Sequence, residues 1–200
     1  KLFEFNKITL SLNKVIERNS WDQEAIMPIG ALADRAQEQA SLMIIAHKRL
    51  TSSEFSDLLN SVKIENLSKT QLRQVSLMRK ELIRAQKVPN ELVGALAKET
   101  TLAHSEWVNA RKNNDFQQFL PQFKKVLKLR IEEADAIRKD TDLSRYDALL
   151  QEYEPDLKSD YIDNIFNTLR PVLVDLRSRV LDRPPFQEII GHFPIDKQRE

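Results

Sequence analysis

Three histidines, His47, His104 and His192, are the only imidazoles in this 200-residue chain. None has a second histidine four residues away, so a His-Glu-x-x-His face with two zinc ligands and a general base is missing. None follows a glutamate by three residues, which removes the Glu-x-x-His element of di-iron bundles. The chain has no cysteine, so disulfides, thiolate metal sites and Cys–His nucleophile pairs are excluded. A Gly-x-Ser-x-Gly elbow and a Gly-rich phosphate loop are also lacking. Glu132, Glu133 and Asp135 are followed by Arg138 and Lys139 and read as a solvated helix face balanced by bases. His47 reads as a half-exposed residue near a helix end, where the C-terminal dipole favours its charged form. No catalytic residue and no metal ligand is assigned within this chain.

Two segments have the composition of ligand-contacting surfaces. Ser20-Trp21-Asp22-Gln23-Glu24-Ala25-Ile26-Met27-Pro28-Ile29-Gly30 lies between two amphipathic stretches and reads as a loop. It contains one of two tryptophans, one of three glycines and a proline that stops simple helix continuation. Trp21 either plugs the top of a helical hairpin, with Asp22 as a helix cap, or the loop packs against a specific ligand. The second segment, Tyr146-Asp147-Ala148-Leu149-Leu150-Gln151-Glu152-Tyr153-Glu154-Pro155, places two tyrosines and several acids on a short helix and its exit turn. Its apolar side either packs internally or lines a cleft.

The elements that must position these segments are helices. Apolar residues recur at three and four, glycine is scarce, and β-branched alternation is missing. Phe5, Ile8, Leu12 and Val15 or Ile16 make a first stripe ending near Asn19. Leu32, Ala36, Gln39, Met43, Ala46 and Leu50 mark a second. Thr51-Ser52-Ser53 opens a short helix with Phe55, Leu58, Leu59 and Val62. Ser68 and Gln71 have capping-box spacing before Leu72, Val75, Met78, Leu82 and Ala85. Val88-Pro89 breaks the chain, the proline suiting a first helical turn. Leu92, Leu96, Ala103, Trp107 and Ala110 follow on one side of the next helix.

Asn113-Asn114-Asp115 ends that helix, and Asp115 with Gln118 has the spacing of a second capping box. The next stripe is Phe116, Phe119, Phe123, Val126, Leu127, Ile131, Ala134 and Ile137, with Pro121 near its first turns. A short helix spans about Tyr146 to Gln151. A last long one runs from Asp160 to Val180, with Pro171 expected to bend it. The reading is an all-α chain of long, mostly antiparallel helices in an irregular bundle. It is taken as one helical region, 1–200, with the bundle over 1–183 and a linker and the start of a further segment over 184–200.

Bulk composition narrows the partners. Thirty-one basic and thirty acidic side chains interleave to a formal charge of +1, which favours neither nucleic acid nor an anionic membrane. No apolar run approaches the roughly 20 residues that span a bilayer. The start, Lys1-Leu2-Phe3-Glu4, lacks the layout of a signal peptide and reads as a processing boundary. A cytoplasmic location is expected.

The Ser20–Gly30 pattern resembles the opening of the thermostable metallocarboxypeptidases. Val88-Pro89 with Glu91-Leu92-Val93, Trp107 with Ala110-Arg111, and Asn114-Asp115-Phe116 extend the resemblance. Tyr146–Leu150 with Tyr153-Glu154-Pro155 is its strongest further block, and Leu169-Arg170-Pro171, Phe193-Pro194 and Lys197-Gln198 follow in the family's order. The resemblance implies the N-terminal half of a neurolysin-like helical peptidase that releases C-terminal amino acids from peptides. It also implies that the His-Glu-x-x-His helix lies further along than Glu200, so this chain is inactive alone. Zinc or another divalent metal belongs to the complete enzyme, with none held here. Peptides are the implied substrates, and a homodimer is compatible. Trp21, Asp22, Gln23, Tyr146 and Tyr153 are the residues expected to face the substrate groove, as part of its wall or lid. The alternative is a stand-alone helical binding or assembly module.

Overall fold

The computed structural model describes residues 1–184 and 191–198. Among them every regular element is helical: α1 (Leu2–Ala25), α2 (Leu32–Leu50), α3 (Ser53–Asn60), α4 (Lys69–Ala85), α5 (Asn90–Asn113), α6 (Phe116–Arg138), α7 (Arg145–Leu150) and α8 (Ser159–Leu181), with single 3-10 turns at Ile29–Ala31 and Ile64–Asn66. The chain divides into two compact units, Lys1–Leu149 and Leu150–Glu200.

In the first unit, one core joins α1, α3 and α4 through Leu2, Phe5, Phe55, Leu59, Val75, Met78 and Leu82. Phe5 and Phe55 stack with ring centroids 5.3 Å apart. The buried face of α1 differs from the expected stripe: Ile8 is exposed, whereas Thr9 is buried. Arg49 of α2 explains this. Its guanidinium lies 3.7 Å over the Phe5 ring, while Nε donates to Thr9 Oγ1 and a terminal nitrogen donates to the Phe5 carbonyl. A cation held flat on an aromatic face needs an acceptor beside it, and Thr9 supplies one.

Helix ends follow local chemistry. Ser52 Oγ accepts from the Phe55 amide at the start of α3. Ser68 and Gln71 make the reciprocal bonds of a full capping box on α4. Only half of the second expected box forms. Asp115 accepts from the Gln117 and Gln118 amides, but the Gln118 side chain turns to Glu106 of α5. Pro89 stands at the N-cap of α5, one position earlier than expected, and α8 continues through Pro171.

α5 contacts both α2 and α6. Asn114, left-handed at φ 52°, and Asp115 are the whole connection to α6, so α5 and α6 run antiparallel. Gln122 Nε2 donates to Glu99 Oε2 at 2.6 Å across that pair. The α6 stripe is only partly covered, since Phe116, Phe123, Leu127 and Ile131 stay exposed while Ala134 and Ile137 are buried. Trp107, expected on the packed side of α5, is likewise exposed.

A second core gathers Val88, Ile137 and Ala148 with Leu92, Val93, Leu143 and Leu149 around the start of α7. Arg145 grips both oxygens of Asp135 at 2.8 Å each, and that fork holds the Asp135 carboxyl below its ordinary range. A depressed carboxyl stabilises the fold above its unfolded pKa, and the contribution disappears as pH falls through the folded one. Asp135→Asn should therefore lower the urea midpoint slightly at neutral pH. The gap to the parent should close below about pH 4, checked by a pH series of urea melts.

In the second unit, Gln151 closes the turn before α8. Its Nε2 donates to the Leu157 carbonyl at 2.7 Å, and its Oε1 accepts from the Asp156 amide at 2.9 Å, where Asp156 sits at φ 71°. Of the expected linker Arg183-Pro184-Pro185, Pro185 lies outside the described residues, as do 186–190 and the last two positions of the 184–200 segment.

Candidate substrate-facing surface

The segment expected as a loop is helical over its first half. α1 continues through Trp21, Asp22, Gln23 and Glu24 and ends at Ala25. Pro28 takes an extended conformation at ψ 140°, and the chain then makes the 3-10 turn into α2. Ser and Asp side chains usually compete with the backbone and are unfavourable inside helices. Here their polar atoms find partners in α2. Arg35 donates to the Asn19 carbonyl, to Asp22 Oδ2 and, through Nε, to Glu38 at 3.1 Å. Gln39 Nε2 donates to Ser20 Oγ at 3.0 Å. Asp22 is thus an ion-pair acceptor for Arg35 and not a helix cap, because it sits three residues before the end of a helix instead of ahead of one.

The Arg35 guanidinium is largely covered and is held protonated more firmly than usual, chiefly by its hydrogen bond to Asp22 against the cost of burial. Two helices are thereby clamped at the point where α1 ends. On this clamped end Trp21 is 62% exposed, so it plugs nothing, and Gln23 is half-buried. Glu24 reaches His104 of α5, with 3.2 Å between Oε1 and Nδ1, and the His104 ring lies 5.7 Å from that of Trp107. The α1 terminus therefore faces α5 through a polar and aromatic seam of Glu24, His104 and Trp107.

Trp21, Asp22 and Gln23 are consecutive on α1; Asp22 pairs with Arg35, and Gln23 Nε2 donates to Glu24 Oε1 at 3.3 Å. Tyr146 stands on α7 with its side chain exposed; no hydrogen bond or ring contact among the described residues joins it to the α1 trio. Tyr153, in the second unit, is exposed on the turn that Gln151 closes. Beside Tyr146, the buried Asp147 accepts from Ser144 Oγ at 2.7 Å, and its own amide donates back to that hydroxyl. Residue spacing missed Arg35 altogether; the signal was present only as a basic residue four positions into a helix, which is ordinary. His47 is half-buried in the last turn of α2. Its Nδ1 lies 2.8 Å from Asn90 Oδ1 and its Nε2 3.0 Å from the Ala85 carbonyl, so it joins α2 to the α4–α5 corner.

Among the described residues, no three His, Cys, Asp or Glu side chains gather as metal ligands. Glu24 meets His104, and Asp22 meets the Arg35 guanidinium. Neither pair makes the donor set of a metal.

The description carboxypeptidase Taq (M32) metallopeptidase matches residues 2–200. The chain belongs to that family. Relatives include thermostable carboxypeptidase 1 of Thermus thermophilus, 29% identical over 212 residues covering 99% of this chain and 42% of that protein. Thermostable carboxypeptidase 1 of Pyrococcus furiosus is 27% identical over 180 residues, 90% of this chain and 35% of that one. Among solved structures, the M32 carboxypeptidase of Deinococcus radiodurans superposes with a TM-score of 0.75 at 27% identity, over 99% of this chain and 40% of that chain. The fold also matches a crystal structure of BsuCP at a TM-score of 0.91 and 22% identity, over 99% of this chain and 40% of that one. The M32 region described here is thus an N-terminal helical portion, spanning between 35% and 42% of the curated relatives named here.

Proposed function

We propose that this chain is the N-terminal wall or lid of the peptide groove of a zinc-dependent carboxypeptidase that releases C-terminal amino acids. The observation that carries this is the family match along residues 2–200, and it favours the reading over a stand-alone binding module. Trp21, Asp22, Gln23, Tyr146 and Tyr153 are the side chains proposed to face the groove. Exposure of Trp21, Tyr146 and Tyr153 leaves their rings available to a peptide, and the Arg35 clamp gives the first of them a stiff base. A wall of this kind admits extended peptides and shields the reaction from bulk water. The divalent metal and its ligands belong to the part of the enzyme outside these residues. A cytoplasmic location and a homodimer complete the proposal.

Assayed alone with added zinc or cobalt, the 200-residue chain should release no amino acid from peptide C-termini. Turnover at the rate of a complete M32 enzyme would overturn this assignment. The groove residues are tested in a chimera, with this chain replacing the matching part of Bacillus subtilis carboxypeptidase 1. There Trp21→Ala should raise KM for peptides several-fold with kcat nearly unchanged, the pattern of binding lost equally from ground and transition states. An unaltered KM removes Trp21 from the groove.

A further inference from the structure

One trough in the first unit brings together opposite charges that do not pair. It has a volume of about 640 Å³ and lies between α1, the last turn of α2 and α3, within the roughly 300–1,000 Å³ of small-molecule sites. Phe5, Leu58 and Ile8, the stripe position that α1 leaves 61% exposed, supply its apolar lining. Arg49 and Glu54 supply a cation and an anion. Arg49 is half-buried and aimed by its contacts with Phe5 and Thr9, which occupy Nε and one terminal nitrogen. Among the described residues its other terminal nitrogen has no partner, and no carboxylate pairs with the guanidinium. Glu54, exposed in the first turn of α3, makes no ion pair among them either. Glu4, on the same wall, is already paired with Lys7 at 2.6 Å.

We propose that this trough binds a free amino acid with an apolar side chain, its carboxylate on Arg49, its ammonium on Glu54 and its side chain on Ile8 and Leu58. The lining offers one group to each part of such a ligand. A carboxylate on the guanidinium makes charge-assisted hydrogen bonds, and a guanidinium already fixed in place loses little freedom on binding. Glu54 repels a simple anion and Arg49 a simple cation, so a zwitterion answers both charges where a single charge answers one. The inference does not rest on the functional reading above, although free amino acids are what that reaction releases.

The test titrates free phenylalanine into the 200-residue chain carrying methyl-labelled isoleucine and leucine. Saturable shifts of the Ile8 and Leu58 methyl signals in NMR spectra are expected. Phenylalaninamide lacks the carboxylate and N-acetylphenylalanine lacks the ammonium, and each should bind at least ten-fold more weakly. Glu54→Gln should weaken the binding of free phenylalanine at least five-fold and leave that of N-acetylphenylalanine no weaker. Glu54 is exposed, so the variant keeps its fold, as its circular dichroism melt will verify. No saturable shift with free phenylalanine, or equal affinity in the parent and Glu54→Gln, overturns the proposal. So does tighter binding of N-acetylphenylalanine than of the free amino acid, because the occupant is then a peptide C-terminus. Turnover is not measured, so each of these outcomes leaves the groove reading where it stands.

Discussion

Phe55→Ala is expected to destabilise the first unit by about 3–5 kcal/mol, the cost of emptying a fully buried aromatic site. Phe55 is 2% exposed, stacks on the Phe5 ring and belongs with Leu59 to the core that α1, α3 and α4 share. α3 has only 8 residues, too few to be stable in water without tertiary packing. Losing this ring should therefore release α3 and the start of α1 together. Urea unfolding followed by far-ultraviolet circular dichroism measures the loss. A change under about 1 kcal/mol would mean that the core refills the space, and that Phe55 is not the anchor of the three helices.

Gly94→Leu should cost about 1–3 kcal/mol, the range for forcing extra volume into a packed interface. Gly94 is buried on α5 where it crosses α2, and a Cβ there would stand 2.6 Å from Ile44 Cδ1 and 3.0 Å from Cγ1. Glycine inside a helix is unfavourable by about 1 kcal/mol relative to alanine, so the close approach of Ile44 is what keeps residue 94 small. Gly94→Ala gives the control. Its methyl meets Cδ1 and Cγ1 of the Ile44 side chain, and the gain in helix propensity offsets the adjustment of Ile44, leaving stability near that of the parent. Thermal melts of the two variants should differ clearly. Equal melting temperatures would show that residue 94 does not set the α2–α5 distance.

Where side chains act within their own turn, the sequence was readable. Ser68 and Gln71 cap α4, Ser52 starts α3, and Asn113-Asn114-Asp115 separates α5 from α6 as their residue types require. The buried positions of α4 and α3 also match the three-and-four spacing, whereas Leu72 of the expected α4 stripe is exposed. The family followed from the order of short blocks. Reading failed where a partner came from afar. Trp21, Asp22 and Gln23 looked like a loop because Pro28 and Gly30 lie in the same stretch and Ser20 and Asp22 prefer caps and turns to helix interiors. Arg35, 13 residues from Asp22, and Gln39, 19 from Ser20, reverse that preference by supplying the missing partners. Ile8 and Thr9 exchange places for the same kind of reason, with Arg49 placed 40 residues from Thr9.

Sequence alone thus determined the all-helical class, the order of the long helices, the Ser52 and Ser68 caps and the absence of an HExxH pattern within these 200 residues, since each depends on spacings of a few positions. Tertiary structure decided where α1 ends, which of its faces is buried, and why residue 94 must be small. Those outcomes depend on which distant side chains arrive within hydrogen-bonding or van der Waals distance. Such encounters are set by packing between helices, and a pattern of local preferences does not encode them.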